Sequence, residues 1–130
     1  MKSFFIPSLV FIFLLFSCDE TNLTGSENVS EIENVTFSDL STSISNNILI
    51  ASGTITNDNQ SSSISPPWYI ECQYYYTNAS GNIFLIGGEN SLINNALPAG
   101  VSLEWTLEHQ VDNSDSYSNF TINDLRAYKN

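Results

Sequence analysis

Residues 101–108 alternate strictly between apolar and polar side chains, and this alternation limits the possible fold more than any other feature of the chain. The apolar positions are Val101, Leu103, Trp105 and Leu107. A period of two predicts a β-strand with one face in a core and one face in water. A slip of one residue would bury Glu104 and Glu108 and expose Trp105, so the pairing register of this strand is strongly specified.

A second alternating segment covers residues 68–75 and predicts another strand. Its apolar phase consists of Trp68, Ile70, Cys72 and Tyr74. Its other phase consists of Tyr69, Glu71, Gln73 and Tyr75. The segment that follows, 77–82, is typical of a hairpin loop and leads into a strand at 83–86.

Further strands are predicted at 35–40, 48–56, 89–92 and 120–128, the last of them broken near Asn123-Asp124. Gly53 inside its strand suggests a bulge or a close backbone approach. The segments 34–40 and 119–125 nearly match in sequence, which predicts two strands in similar environments. No stretch shows apolar spacing of 3.6 over three turns. Residues 34–130 are therefore expected to form an all-β fold, a single antiparallel immunoglobulin-like β-sandwich of about seven strands.

The N-terminal segment predicts export and a lipid anchor. Lys2 precedes an apolar run over 4–16, which is too short for the ~20 residues that span a bilayer. Leu15-Phe16-Ser17-Cys18 resembles the lipobox of bacterial lipoproteins. The resemblance implies a signal peptide at 1–17 and lipidation of Cys18, and the polar, acidic composition of 18–33 predicts a flexible tether.

Asp19 and Glu20 follow the cysteine directly and resemble export signals of surface lipoproteins in Gram-negative bacteria. The resemblance implies an outer-membrane protein that faces the cell surface. In other Gram-negative systems an aspartate at this place instead retains a lipoprotein at the inner membrane, and this alternative stays open.

The charge balance excludes whole classes of partner. The chain has 14 Asp and Glu against 3 Lys and Arg, so it lacks the basic side chains that neutralise nucleic-acid phosphates or bind an anionic membrane surface. If Cys18 carries lipid, Cys72 has no disulfide partner, and a lone thiol outside the cytosol is expected to be buried.

The block from Gly53 to about Leu107 is similar to the FxLYD-type domains of bacterial exported proteins. The similarity depends on Gly53-Thr54-Ile55-Thr56-Asn57, the strand from Trp68, Gly81-Asn82-Ile83, and Leu97-Pro98-Ala99-Gly100. Where the family motif would stand, Cys72-Gln73-Tyr74-Tyr75-Tyr76 keeps only the tyrosine. The resemblance implies a small sandwich and assigns no site residues.

Catalysis is not expected, because His109 is the only histidine and ends the alternation near a strand end, and no nucleophile motif or phosphate loop accompanies it. No cofactor is predicted. Asp112 and Asp115 could supply oxygen ligands to calcium, or simply belong to a solvated turn.

Tyr69 and Tyr75 point outward on their strand and are candidate stacking residues for a glycan, or they pack across strands without any ligand. The chain is thus expected to be a surface-tethered, non-enzymatic lipoprotein that serves as an interaction or accessory module. Its expected partners are an outer-membrane protein or, alternatively, a polysaccharide.

Overall fold

The computed structural model describes residues 29–130, which form two antiparallel sheets. The strands are β1 (Ser30–Glu31), β2 (Val35–Ser45), β3 (Ile48–Asn57), β4 (Trp68–Thr77), β5 (Ile83–Ile93), β6 (Ser102–Gln110) and β7 (Thr121–Lys129). Sheet A has the order β1-β7-β4-β5 and sheet B the order β2-β3-β6. The predicted all-β antiparallel sandwich is confirmed. The predicted signal peptide at 1–17 and the lipidation site Cys18 lie outside the described residues.

The two alternating segments form β4 and β6 with the predicted faces. Trp68, Ile70, Cys72 and Tyr74 are fully buried, as is the apolar phase of β6 at Trp105 and Leu107. Val101 is a correction: its side chain is 44% exposed, and β6 begins only at Ser102. The reason is a turn in which the Val101 amide donates to the Pro98 carbonyl, so Val101 leads into the strand without taking part in it.

The ordered domain begins earlier than the predicted boundary at residue 34. Ser30 and Glu31 pair with Lys129 and Tyr128 on β7, and the Ile32 amide donates to the Ala127 carbonyl. Ile32 also packs against the core. Ser30 to Ile32 are therefore not part of a flexible tether, because one apolar side chain and three backbone contacts attach them to sheet A; residues 18–28 of the predicted tether lie outside the described residues.

Two predicted short strands at 83–86 and 89–92 are one strand, β5. Tyr75 pairs with Leu85 while Tyr74 pairs with Gly87, so Ile86 is the extra residue of a β-bulge. A Cβ at Gly87 would lie 2.5 Å from Cε1 of His109. Because Gly87 has no side chain, β5 passes directly beneath the His109 ring and continues as one strand. The sequence suggested that the strand is interrupted there.

The near-repeat of 34–40 and 119–125 corresponds to two matching bulges, one in each sheet. Asp39 and Asp124 occupy equivalent places in the repeat, and both have a φ of 54°. In β2 the bulge stands opposite Gly53, and in β7 it stands opposite Cys72. Aspartate tolerates this left-handed backbone because its short polar side chain can bond locally. The two segments thus share a bulge, but their environments differ, because β2 is an edge strand and β7 lies between β1 and β4.

Gly53 is required by the close approach of the bulge. A Cβ there would lie 2.9 Å from the Ser38 carbonyl oxygen and 3.0 Å from Cζ2 of Trp105. The carbonyl belongs to the backbone and cannot move aside as a flexible side chain would. The predicted close backbone approach at Gly53 is therefore present.

Cys72 is a free, buried thiol, as predicted. Burial raises the pKa of Cys72 to about 12, and it also raises the pKa of the adjacent buried Tyr74, whose hydroxyl donates to the Leu107 carbonyl. Both groups therefore keep their protons in the fold at pH values at which the unfolded chain ionises.

We expect these two groups to lower the free energy of unfolding as the pH rises above about 9, because only the unfolded chain then loses these protons. The fall should approach about 1.4 kcal/mol per pH unit for each group. Urea unfolding at pH 8 to 11 measures it, and Cys72→Ala should make the fall less steep. A free energy of unfolding that stays constant to pH 11 would contradict the burial of ionisable protons in this core.

Candidate functional site

The two candidate tyrosines lie on the outer face of sheet A. We call this surface the tyrosine face and define it as Tyr69, Glu71, Gln73 and Tyr75 of β4 with Arg126 and Tyr128 of β7. Tyr69 is half-buried and stacks on Tyr128, with ring centroids 5.1 Å apart and an interplanar angle of 12°. The two rings are direct cross-strand neighbours, so strand packing accounts for the position of Tyr69.

Tyr75 is also half-buried and engaged with its neighbours. Its hydroxyl lies 2.5 Å from Oε1 of Gln73 and 3.1 Å from Oδ2 of Asp124. Desolvation and the Asp124 carboxylate raise the pKa of Tyr75. Tyr69 and Tyr75 are six residues apart on one strand, about 20 Å at the usual rise, so the structure does not bring the two rings together. Glycan binding by these tyrosines stays a prediction.

The centre of the tyrosine face holds an ion pair that the alternation did not predict. Glu71 is only 3% exposed, and Nε of Arg126 donates to its Oε1. The Arg126 guanidinium carbon lies 5.3 Å from the centroid of the Tyr128 ring. Among residues 29–130, Oε2 of Glu71 has no hydrogen-bond partner. The Glu71 carboxylate is therefore shielded from solvent, and it holds the Arg126 side chain in place.

Asp112 and Asp115 do not come together as a metal site. Both are exposed and lie around the helical turn at Ser114–Tyr117, where Oδ1 of Asn113 accepts from the Asp115 amide. Within residues 29–130, no group of three or more His, Cys, Asp or Glu side chains is placed to hold a metal ion. Calcium binding stays a prediction, and the geometry of the loop is explained by its capping bonds.

His109 is the next-to-last residue of β6, near the strand end where the alternation placed it. Its ring stacks on Tyr74 with centroids 5.3 Å apart and covers Gly87 of β5. Its Nδ1 lies 2.8 Å from Oε1 of Glu89, also on β5. His109 therefore joins the edge strands of the two sheets across the open side of the sandwich. We call the space between β5 and β6 the seam.

Two cavities open in the seam, one on each side of the His109–Glu89 contact. One, of about 310 Å³, lies between the end of β5 and β6. Its lining is largely apolar and includes Leu92, Ile93, Ala96, Leu97 and Leu103. The other, of about 390 Å³, lies near the loop after β6. Its lining is more polar and includes His109, Gln110, Asp112, Asn113 and Ser116. We call them the apolar cavity and the Asp112 cavity.

The first residues of β5 expose three large apolar side chains at an edge of sheet A. The exposed fractions are 68% for Ile83, 43% for Phe84 and 36% for Leu85. We call these three residues the β5 patch. Phe84 stacks on Tyr76 at 5.2 Å, and Tyr76 meets Tyr117 edge-on, so a row of rings supports Phe84, while Ile83 and Leu85 point to the other face of the strand. Consecutive exposed apolar side chains on an edge strand are typical of a binding surface.

The opposite edge of the sandwich is different. β2 carries mostly serine and threonine around the Asp39 bulge, and its exposed apolar residues Leu40 and Ile44 are isolated. A bulge with a charged residue is a common means by which an edge strand is protected from pairing. Among the described edge strands, β5 is the one that exposes three consecutive large apolar side chains.

The described residues include no helix long and apolar enough to cross a membrane. No family model, curated protein or solved structure matches the chain. The resemblances to lipoproteins and to FxLYD-type domains therefore stay predictions, and the function has to be proposed from the surfaces themselves.

Proposed function

We propose that this chain is a non-enzymatic interaction module of the outer membrane, anchored by lipid on Cys18 and facing the cell surface. It binds an extended segment of a partner protein, which adds as a strand to the free edge of β5. The observation that carries the proposal is the β5 patch, which exposes three consecutive apolar side chains on an edge strand.

Strand addition fits this edge for two reasons. An edge strand has backbone N–H and C=O groups on its outer side, and an extended peptide can pair with them while its alternate side chains enter pockets. β5 also lacks the lysine and proline residues that commonly protect such edges. The bulge at Ile86 divides β5 into two arms, and the β5 patch forms the first of them.

The charge of the chain selects among partners. With 14 acidic and 3 basic side chains, it attracts a basic segment and repels an acidic one. Only two basic residues, Arg126 and Lys129, lie within 29–130. A partner of complementary charge is therefore a different protein and not a second copy of this chain.

Glycan binding on the tyrosine face is the alternative proposal. The cross-strand packing of Tyr69 and the bonds of Tyr75 explain both rings without a ligand. Cross-strand stacking on Tyr76 likewise accounts for Phe84, but Ile83 and Leu85 stay exposed without a comparable contact within the described residues, which is why partner binding has priority.

Ile83→Lys should abolish partner binding while leaving the fold intact, because the side chain is exposed and lysine is a natural protector of edge strands. Charging an apolar contact at a binding site should weaken association by about tenfold or more. Intact cells that produce the full chain are treated with a mild crosslinker, and adducts of one discrete mass are quantified after purification.

Val101→Lys is the matched control, because Val101 is also an exposed β-branched residue but lies outside β5. The wild-type chain and Val101→Lys should give the adduct, and Ile83→Lys should not. If the wild-type chain is recovered only as a monomer, or if Ile83→Lys gives the adduct undiminished, the proposed function is wrong.

A further inference from the structure

We infer that the partner segment carries an apolar anchor and, six residues away, a lysine or arginine, and that these two side chains enter the two cavities of the seam. This inference rests on the proposed function and specifies the chemistry of the partner. It follows from the position of both cavities along the strand to which the partner is added.

The apolar cavity fits an aliphatic or aromatic anchor. Ile93 and Leu103 face it from the two edge strands, and the nearly buried Leu97 closes it from the connecting loop. At about 310 Å³ the cavity has the size of a small ligand pocket. An apolar side chain in a pocket of this kind is a typical energetic centre of a protein interface.

The Asp112 cavity fits a cationic side chain. Its rim carries the exposed Asp112 carboxylate, and the side chains of Gln110, Asn113 and Ser116 add oxygen acceptors. Its aromatic side is Tyr117, against which an ammonium or guanidinium group can also pack. Since the chain is strongly acidic, a basic side chain of the partner is the group that this cavity favours.

The spacing follows from strand geometry. The Asp112 cavity is lined by Ile86, and the apolar cavity by Leu92 and Ile93, so they are six to seven residues apart along β5, or about 20 Å. An added strand places every second side chain on the same face. Two side chains that both enter the seam must therefore be an even number of residues apart, which selects six.

A second copy of β5 does not satisfy these requirements. β5 contains no lysine or arginine, and its charged residue Glu89 already contacts His109. The segment that fits the seam therefore belongs to another protein, one with a short extended stretch of alternating side chains and a basic residue.

Peptide binding tests this inference with the full chain purified in detergent. The probe is a fluorescent peptide of the same length as β5, made of alternating threonine and valine with one leucine and one lysine six residues apart. Two further peptides carry the lysine five residues from the leucine, or glutamate in place of the lysine. Fluorescence anisotropy should show binding of the first peptide about tenfold tighter than of either other.

Two substitutions locate the contacts. Ala96→Trp should fill the apolar cavity and remove the gain from leucine, because Ala96 is an exposed loop residue that lines it. Asp112→Lys should reverse the preference for lysine over glutamate. Asp115→Lys is the matched control, since Asp115 is an exposed aspartate of the same loop that does not line the cavity, and it should leave the preference unchanged.

The failure of this inference is distinguishable from failure of the proposed function. If all three peptides bind equally, or none binds, or Asp115→Lys acts as strongly as Asp112→Lys, the inferred spacing and chemistry are wrong. The crosslinked adduct in cells and its loss in Ile83→Lys would still support the proposed function in each of these cases.

Discussion

Arg126→Ala should lower the free energy of unfolding by about 3–5 kcal/mol, the range observed when one partner of a buried ion pair is removed. Glu71 is almost fully buried, and Arg126 is the cation that compensates its charge. With Arg126 removed, Oε1 loses its donor while Oε2 already has none. The guanidinium contact with the Tyr128 ring is lost as well. Urea unfolding at neutral pH measures the effect.

Two further variants distinguish the destabilisation caused by leaving the Glu71 charge unpaired from that caused by lost packing. Glu71→Gln in the Arg126→Ala background removes the buried charge and should recover part of the loss. Lys129→Ala is the matched control on the same strand; its ammonium group donates to Oγ of Ser65 at the surface, and its loss should lower the free energy of unfolding by less than about 0.5 kcal/mol. Equal effects of Arg126→Ala and Lys129→Ala would show that the Glu71 charge is not held by Arg126.

Cys18→Ser should abolish the incorporation of labelled fatty acid into the full chain, because the lipid bond requires a cysteine sulfur. Cys72 cannot replace Cys18, since its thiol is fully buried and burial raises its pKa to about 12. Each buried methylene contributes about 0.8 kcal/mol to membrane attachment, so two or more chains hold a small domain stably. Cys18→Ser should therefore remove the fatty-acid label and the membrane attachment completely.

Metabolic labelling of cells that produce the wild-type chain, Cys18→Ser and Cys72→Ser measures this effect. Label should appear in the wild-type chain and in Cys72→Ser alone, and protease added to intact cells should then remove the labelled protein from the surface. Label in Cys18→Ser, or none in the wild-type chain, would contradict the lipid anchor, and protection from the protease would contradict the surface location.

The sequence predicts those parts of the fold that depend on local pattern. The alternation at Trp68–Tyr75 fixes which side chains of β4 enter the core, and burial of Cys72 follows from the same pattern. Gly53 and the repeated Asp39 and Asp124 mark places where the backbone departs from a regular ladder, and each of them coincides with a bulge.

The sequence patterns mislead where contacts between residues far apart in the chain determine the structure. Glu71 has the phase of a solvent-exposed residue, yet it is buried, and its ion-pair partner Arg126 lies 55 positions later in the chain. Ser30 and Glu31 have the polar character of a tether in the sequence, yet they pair with the last strand of the chain. Period-two patterning describes which side of a sheet a residue faces but not what covers that side.

The candidate site was the least predictable part because it depends on strand order. Ile83, Phe84 and Leu85 form an ordinary apolar run in the sequence, and only the order of sheet A shows that they lie on an edge. The seam and its cavities lie between β5 and β6. No local sequence motif indicates that these two strands are neighbours. By contrast, Tyr69 and Tyr75 are conspicuous in the sequence, yet packing within sheet A accounts for them.

Binding of a partner protein at the β5 edge is detected most directly by site-specific photo-crosslinking in intact cells. The photoreactive residue p-benzoylphenylalanine is placed in the full chain at Phe84 or, in a separate variant, at Leu40 on the opposite edge, since both positions are exposed. We expect a light-dependent adduct of one discrete mass from position 84 and none from position 40. The same adduct from both positions, or none from position 84, would contradict binding at the β5 edge.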